Sequence, residues 1–240
     1  MSDQSPPAPS RYLKLPICFD TARLADELNA IVAPQWVEHF NTNDYEGSWR
    51  CMALRSMNGQ ADHIIPLNDA EFLDTEVLEQ CPYFRKVLDS FACEKTSVRL
   101  MALAPGAVIK PHSDPGTTFE DGLARLHIPL ITHPDAVFCI DEETVHFDPK
   151  HTWYLNAGCT HAVYNRSTQP RIHLMLDCLP NPWLQDVFTL AGFVPRRKAG
   201  YDDPCIHDGN VHAIIAELRS RGGTINLGLA AKLEAAHDAH

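Results

Sequence analysis

Three histidines in this sequence are followed two residues later by an aspartate: His112 and Asp114, His133 and Asp135, His146 and Asp148. On a strand, residues i and i+2 point to the same face, so each pair could offer an imidazole and a carboxylate to one ion. Such a pair is half of a divalent-metal site, or it is nothing. With thirteen histidines in 240 residues, about one such spacing is expected by chance, so most of the three are incidental.

A metal site needs a third donor, and His161 in "CTHAVYNRS" is the best placed. It follows Asp114 by 47 residues, Asp135 by 26 and Asp148 by 13. Joining an early strand of a sandwich to a late one means crossing at least four strands of roughly 5 residues with their turns, about 30 residues or more. That excludes Asp148 and disfavours Asp135. His133 also precedes a proline at the apparent tip of a hairpin, a poor position from which to aim a ligand inward. Taken alone, His112 and Asp114 read more readily as a surface turn, because Pro115 and Gly116 follow at once. The choice turns on what else the chain supplies.

Ten residues after His161 stands Arg171. "HAVYNRSTQPRIHLMLDC" reads as two strands and a polar turn; a hairpin centred on Arg166 would set Arg171 opposite His161, on the same face. Arg171, His173 and Met175 would then look one way, and Ile172, Leu174 and Leu176 the other. A buried arginine is costly unless it meets an anion, and its planar fork suits a carboxylate. A local Asp or Glu could supply that anion, or a dicarboxylate cofactor could.

The elements that must position these residues follow from texture. From Ser97, short apolar or alternating runs split by Pro, Gly, Asn and Asp predict about eight strands in some eighty residues, the pattern of a sandwich or barrel. "SWRCMALRS" (48–56) predicts another strand. Helices are predicted over 20–32, over about 69–92, and after Pro182 in "WLQDVFTLAGF" and "NVHAIIAELRSRG", with a weaker tail. The fold expected is mainly β with flanking helices around a double-stranded β-helix, a cupin-like jelly roll. Its parts are a disordered lead-in (1–12), a domain over 13–182 with its core at 97–180, and a helical extension over 183–240.

Composition excludes several classes. The net charge is −11, which disfavours a phosphate backbone as partner; the basic cluster at 196–198 reads as a solvated loop. No apolar run approaches a membrane span, and the N-terminal segment does not read as a secretory signal. Eight scattered cysteines without a CxxC pair suggest a reducing cytoplasm, with packing as their role.

Two histidines and one carboxylate on one face of an ion, leaving positions open, is the arrangement of non-haem Fe(II) oxygenases. The chain resembles the Fe(II)/2-oxoglutarate-dependent dioxygenases of the aspartyl/asparaginyl β-hydroxylase family, and is similar to bacterial free-proline cis-hydroxylases. The resemblance spans roughly 36–180 and is carried by "HSD" at 112–114, "RLHIPL" at 125–130, His161 and Arg171. It implies Fe(II) on His112, Asp114 and His161, with the distal carboxylate of 2-oxoglutarate on Arg171 and O2 as co-substrate. It also implies that Arg125 and His127 face the site, His127 toward the metal-bound end of 2-oxoglutarate and Arg125 toward a substrate carboxylate. "WRCMALRS" would approach the mouth, making Trp49 and Arg55 further substrate-binding candidates. Vertebrate members that act on protein domains lack the carboxylate ligand, so Asp114 turns the expectation toward an amino acid or Asp/Asn-type peptide residue. The reaction implied is hydroxylation of an unactivated C–H coupled to decarboxylation of 2-oxoglutarate to succinate.

Rivals remain open. Halogenation needs the position that Asp114 fills. Desaturation or epoxidation on the same fold, or a non-catalytic cupin-like binding protein, is compatible with the same residues. A zinc hydrolase would want an adjacent general base, and the chain has no HExxH-type helix.

Overall fold

The computed structural model describes residues 9–32, 35–65, 71–195, 201, 203, 205–206 and 210–238. Most of the expected lead-in (1–8) and the basic cluster at 196–198 lie outside these.

In chain order the strands are β1 (Tyr12–Leu15), β2 (Val37–Glu38), β3 (Tyr45–Glu46), β4 (Trp49–Ser56), β5 (Leu73–Asp74), β6 (Lys95–Leu103) and β7 (Val108–His112). They continue as β8 (Ala124–Ile131), β9 (Ala136–Ile140), β10 (Glu143–Val145), β11 (Thr152–Leu155), β12 (His161–Asn165) and β13 (Arg171–Cys178). The larger sheet runs β1-β11-β8-β13-β6-β4-β2 with β5 on β4; the smaller runs β10-β9-β12-β7-β3. All pairings are antiparallel. The two sheets form a jelly roll, with β6–β13 covering the span in which eight strands are expected.

Alternation on the central strands separates two interiors. On β6, Val98, Leu100 and Ala102 join the core under the helices, while Met101 and Leu103 join a second cluster between the sheets. On β13, Ile172, Leu174 and Leu176 belong to the helix-side core and Met175 to the inter-sheet cluster. Both faces of β13 are buried, so its polar residues Arg171, His173 and Asp177 lie inside the protein.

The helices α1 (Thr21–Ala30), α2 (Glu76–Glu79), α3 (Pro82–Asp89) and α4 (Pro182–Leu190) supply the helix-side core with Leu24, Leu28, Leu78, Phe84 and Phe188 among others. Of the region expected to be helical over 69–92, residues 66–70 are not described and Leu73–Asp74 is strand. The rest breaks at Pro82, which has no N–H to continue α2 and instead starts α3.

Three expectations need correction. Residues 161–178 do not form a hairpin: β12 pairs with β7 and β9, whereas β13 pairs with β6 and β8, so the "NRSTQP" turn crosses between sheets. Asn165 holds the crossing, its Nδ2 donating to the carbonyls of Leu103, Ala104 and Gln169. Tyr12, expected within the lead-in, begins β1 opposite Leu155. And α4, expected in the C-terminal extension, packs on the β core: Phe188 stacks on Phe119 at 4.2 Å, and the compact unit runs Ser10–Phe193.

The second compact unit is built on the segment from Val194. Its helices α5 (Val211–Arg221) and α6 (Thr224–Asp238) pack around Val211, Ile215, Ala230 and Tyr201. No helix among the described residues is long and apolar enough to cross a membrane.

Candidate active site

His112 ends β7 and His161 begins β12, and the two are direct cross-strand partners. Their rings lie 4.3 Å apart. Asp114 follows β7 in a tight turn in which the Thr117 N–H donates to the Asp114 carbonyl at 3.2 Å. Pro115 and Gly116 occupy its centre, with Gly116 at φ +77°, a turn that requires glycine there. The Asp114 N–H donates to the Ala157 carbonyl at 2.8 Å, tying the turn to the loop before β12. One donor atom from each of His112, Asp114 and His161 lies within 4.8 Å of the others, the single such cluster among the described residues. Four strands, β8–β11, separate Asp114 from His161 in the chain.

The donor set fits a divalent transition metal. A carbonyl can only accept, so His112 Nδ1, 2.8 Å from the Lys110 carbonyl, carries the ring proton, and so does His161 Nδ1, 3.0 Å from the Cys159 carbonyl. Each ring therefore keeps its Nε2 lone pair free for an ion. Burial pulls the His161 imidazole down to about 4, which keeps it in the ligating form at neutral pH.

These residues open onto a cavity of about 360 Å³, walled by Met101, Ile109, Phe138, Leu155, Val163 and Met175. Arg171 lines it and is almost wholly buried (3% exposed). Its Nη2 donates to His173 Nδ1 at 2.8 Å, and its Cζ lies 4.7 Å over the Phe138 ring. Burial pulls the guanidinium down to about 9, and among the described residues no carboxylate forms an ion pair with it. Arg171 and His161 therefore share the cavity, as expected, although by facing each other across two sheets rather than across a hairpin.

Near this two-histidine, one-carboxylate donor set sits a buried ionic cluster that sequence reasoning only half anticipated. Arg125 Nε and Nη2 grip the two Asp177 oxygens at 2.8 and 3.2 Å, and Arg125 Nη1 also bonds Asp114. Arg99 Nη2 shares Asp177 at 3.1 Å, with Nη1 on the Ile64 carbonyl at 3.0 Å. The register explains this: Asp177 lies directly opposite Arg125, and Met175, two residues earlier, lies opposite Arg99. Arg125, expected to face a substrate carboxylate, thus already has Asp177 and Asp114 as anions. Burial pulls the Asp177 carboxyl upward, but Arg125 and Arg99 outweigh it and hold it below the usual range.

Asp177→Asn should therefore cost about 3–5 kcal/mol in denaturant unfolding, because it strands two buried cations. In the native protein this contribution is complete above about pH 4 and is lost as pH falls through the depressed carboxyl value. The variant should lack that acid-side slope; equal stability of both proteins at pH 7 would contradict the account.

The remaining sequence candidates divide. His127 lines the cavity, and neither ring nitrogen has a partner among the described residues. Burial, then the charge of Arg171, pulls its imidazole well below the usual range. Trp49 also lines the cavity, its Nε1 without a partner among the described residues. Its ring stacks on His39 at 3.6 Å, and His39 on Phe40 at 4.4 Å, forming an aromatic wall. Arg55 is elsewhere: it pairs with Asp74 at 2.6 Å and donates to the Lys95 carbonyl at 3.0 Å. Parity from Trp49 would have kept it on the cavity face, but a bulge between Ala53 and Arg55 shifts the strand out of phase. His133 and Asp135 pair on an exposed turn, and Asp148 binds Lys14 and His151 at the surface.

Arg99, Asp177, His39 and Phe40 were not anticipated. Arg99 carried the signal that found Arg171, an arginine within an apolar strand. Asp177 showed it too, in "LMLDCL".

The sequence profile described as aspartyl/asparaginyl beta-hydroxylase matches residues 19–180. The chain belongs to this family, and with it to the Fe(II)/2-oxoglutarate-dependent hydroxylases, enzymes that consume O2. Among curated proteins, L-proline cis-4-hydroxylase of Rhizobium meliloti (strain 1021) is 28% identical over 196 residues, covering 77% of this chain and 69% of that protein. L-proline cis-3-hydroxylase 2 of a Streptomyces species is 24% identical over 164 residues, or 66% of this chain and 57% of the relative's length. Among solved structures, a 2OG-Fe(II) oxygenase family oxidoreductase from Burkholderia pseudomallei aligns over 70% of this chain and 85% of its own at a TM-score of 0.49 and 13% identity. That likeness is too distant to bear on function.

Proposed function

We propose that this protein hydroxylates an unactivated C–H of a small free amino or imino acid, coupled to decarboxylation of 2-oxoglutarate to succinate and CO2. The observation that carries the reading is Arg171: a buried cation with no ion-pair partner among the described residues, lining the cavity that also holds a two-histidine, one-carboxylate donor set. A buried charge without a partner is costly, and a ligand carboxylate gripped by its fork would offset that cost.

In this reading His112, Asp114 and His161 hold Fe(II), and Arg171 takes the distal carboxylate of 2-oxoglutarate. When bound, iron and 2-oxoglutarate supply the oxidation of the substrate C–H by O2. The unpartnered nitrogens of His127 serve the polar groups at the metal-bound end. Phe138, Met175 and the other apolar walls limit water around the reacting carbon.

The substrate's own anchor follows from charge. Arg99 and Arg125 share one carboxylate, Asp177, and Asp114 also touches Arg125. With Asp114 committed to the metal, the two arginines and Asp177 carry one net positive charge. A substrate carboxylate answers it, and Arg99 Nε has no partner among the described residues. The apolar part of the substrate would then meet the Trp49–His39–Phe40 wall. A cavity of about 360 Å³ lies at the small end of ligand pockets, roughly 300–1,000 Å³, which suits two small molecules. Both relatives are named for L-proline, which makes proline the first substrate to try. The eight cysteines are free, in keeping with the reducing cytoplasm we propose as its compartment.

The test incubates purified protein with Fe(II), 2-oxoglutarate and a panel of free amino acids, proline first, alongside Asp- and Asn-containing peptides. Succinate release should rise with a free amino or imino acid, which gains 16 mass units; loss of two mass units would mean desaturation. No stimulation by any panel member, or stimulation by peptides alone, would overturn the proposal. Arg99→Gln should raise the substrate KM about tenfold or more, the equivalent of 1.4 kcal/mol, and raise the uncoupled share of 2-oxoglutarate consumed. An unchanged KM would remove Arg99 from the substrate site.

A further inference from the structure

We infer that His173 is a positioning residue for Arg171: a neutral acceptor that fixes the guanidinium's direction while leaving its charge for the ligand. The inference rests on the reading of Arg171 as the 2-oxoglutarate anchor.

The geometry assigns the proton. A guanidinium only donates, so His173 Nδ1, 2.8 Å from Arg171 Nη2, must present its lone pair, and the ring proton sits on Nε2. His173 is 1% exposed and is not among the residues bordering the cavity, and its one hydrogen bond among the described residues runs to Arg171, which does border it. Nε2 has no partner among the described residues. The ring meets His127 edge-on at 5.7 Å and Phe138 at 6.1 Å, both uncharged neighbours. A carboxylate at Nε2 would stabilise the imidazolium, whose Nδ1–H would then repel Arg171. Burial first, and then the charge of Arg171, act against that form.

The contrast with the neighbouring arginines is informative. Arg99 and Arg125 on the same sheet are held by Asp177, which orients them and also cancels charge. Among the described residues Arg171 is held by an imidazole nitrogen and the face of Phe138. Both contacts restrict a long, rotamer-rich side chain, and neither neutralises it. His173 and Arg171 are two apart on β13 and so share a face. A carboxylate at position 173 would satisfy the fork internally and compete with the ligand.

Four variants decide the matter: His173→Leu, His173→Asn, His173→Asp and Arg171→Lys. For each, 2-oxoglutarate binding is measured by calorimetry on the Fe(II)-loaded protein kept anaerobic. KM and kcat are measured separately, and melting is followed without 2-oxoglutarate. His173→Leu should weaken 2-oxoglutarate binding about tenfold while kcat at saturation stays within about twofold. His173→Asn, whose Oδ1 can stand near the place of Nδ1, should recover most of that loss. His173→Asp should bind at least as poorly as leucine because its carboxylate occupies Arg171. If the leucine variant fails to fold, the near-isosteric Asn and Asp variants still decide: unequal affinities in that order support the inference and equal affinities overturn it. Wild-type affinity in His173→Leu, or equal losses in Leu and Asn, would also overturn it. If Arg171→Lys is impaired and His173→Leu is not, the His173 inference alone falls. If Arg171→Lys binds 2-oxoglutarate normally, the anchor reading falls first and this one with it.

Discussion

Alanine at His112, Asp114 or His161 is expected to abolish 2-oxoglutarate turnover and to weaken Fe(II) binding, while Asp135→Ala and Asp148→Ala leave both near wild type. The contrast is sharp because all three aspartates follow a histidine at the same spacing, and only geometry tells them apart. Asp114 sits within 4.8 Å of two imidazole donors from paired strands. Asp135 has one exposed histidine beside it, and Asp148 has Lys14 and His151. Fe(II) binding is read by titration under anaerobic conditions, and turnover by succinate release. Asp114→Ala has a second consequence: Arg125 keeps Asp177 but loses its other carboxylate contact. The folded protein should survive, because Asp177 is the buried and doubly bonded partner. An active Asp114→Ala variant beside a dead Asp148→Ala variant would reverse the choice among the three motifs.

The grouping of Asp114 with His161 was legible without coordinates because it depended on chain length between strands, which sequence spacing bounds well. The face assignment on β13 was legible for a similar reason. Ile172, Leu174 and Leu176 alternate with Arg171, His173 and Met175, and a strand permits only two faces. What sequence could not show was which strand lies beside which. Arg171 and His161 reach one cavity from opposite sheets, so the hairpin expected between them led to the right company through the wrong pairing. The same limit hid the Arg99–Asp177–Arg125 cluster, whose members are 78 and 52 residues apart and meet only because β13 lies between β6 and β8. Arg55 failed for a local reason. One bulged residue after Ala53 turns it out of the cavity, and no composition signal marks that bulge within "WRCMALRS".

Arg171→Lys keeps the charge and loses the fork, so the 2-oxoglutarate requirement should rise roughly tenfold or more, for a loss of 1.4 kcal/mol or more. Arg171→Met goes further and separates binding from stability. Truncating a buried charge–carboxylate contact typically costs 2–5 kcal/mol of affinity, so 2-oxoglutarate should bind roughly a hundredfold more weakly or worse. Stability should move the other way, or not at all. Methionine removes a buried cation that has no ion-pair partner among the described residues, which relieves several kcal/mol of desolvation. Against that stands about 1–3 kcal/mol for leaving His173 Nδ1 without its donor. The balance predicts a melting temperature at or above that of the native protein, with Fe(II) binding unchanged because the contacts of Arg171 among the described residues run to His173 and Phe138, not to His112, Asp114 or His161. A variant that melts several degrees lower yet binds 2-oxoglutarate normally would make Arg171 a structural residue and leave the cavity without its cofactor anchor.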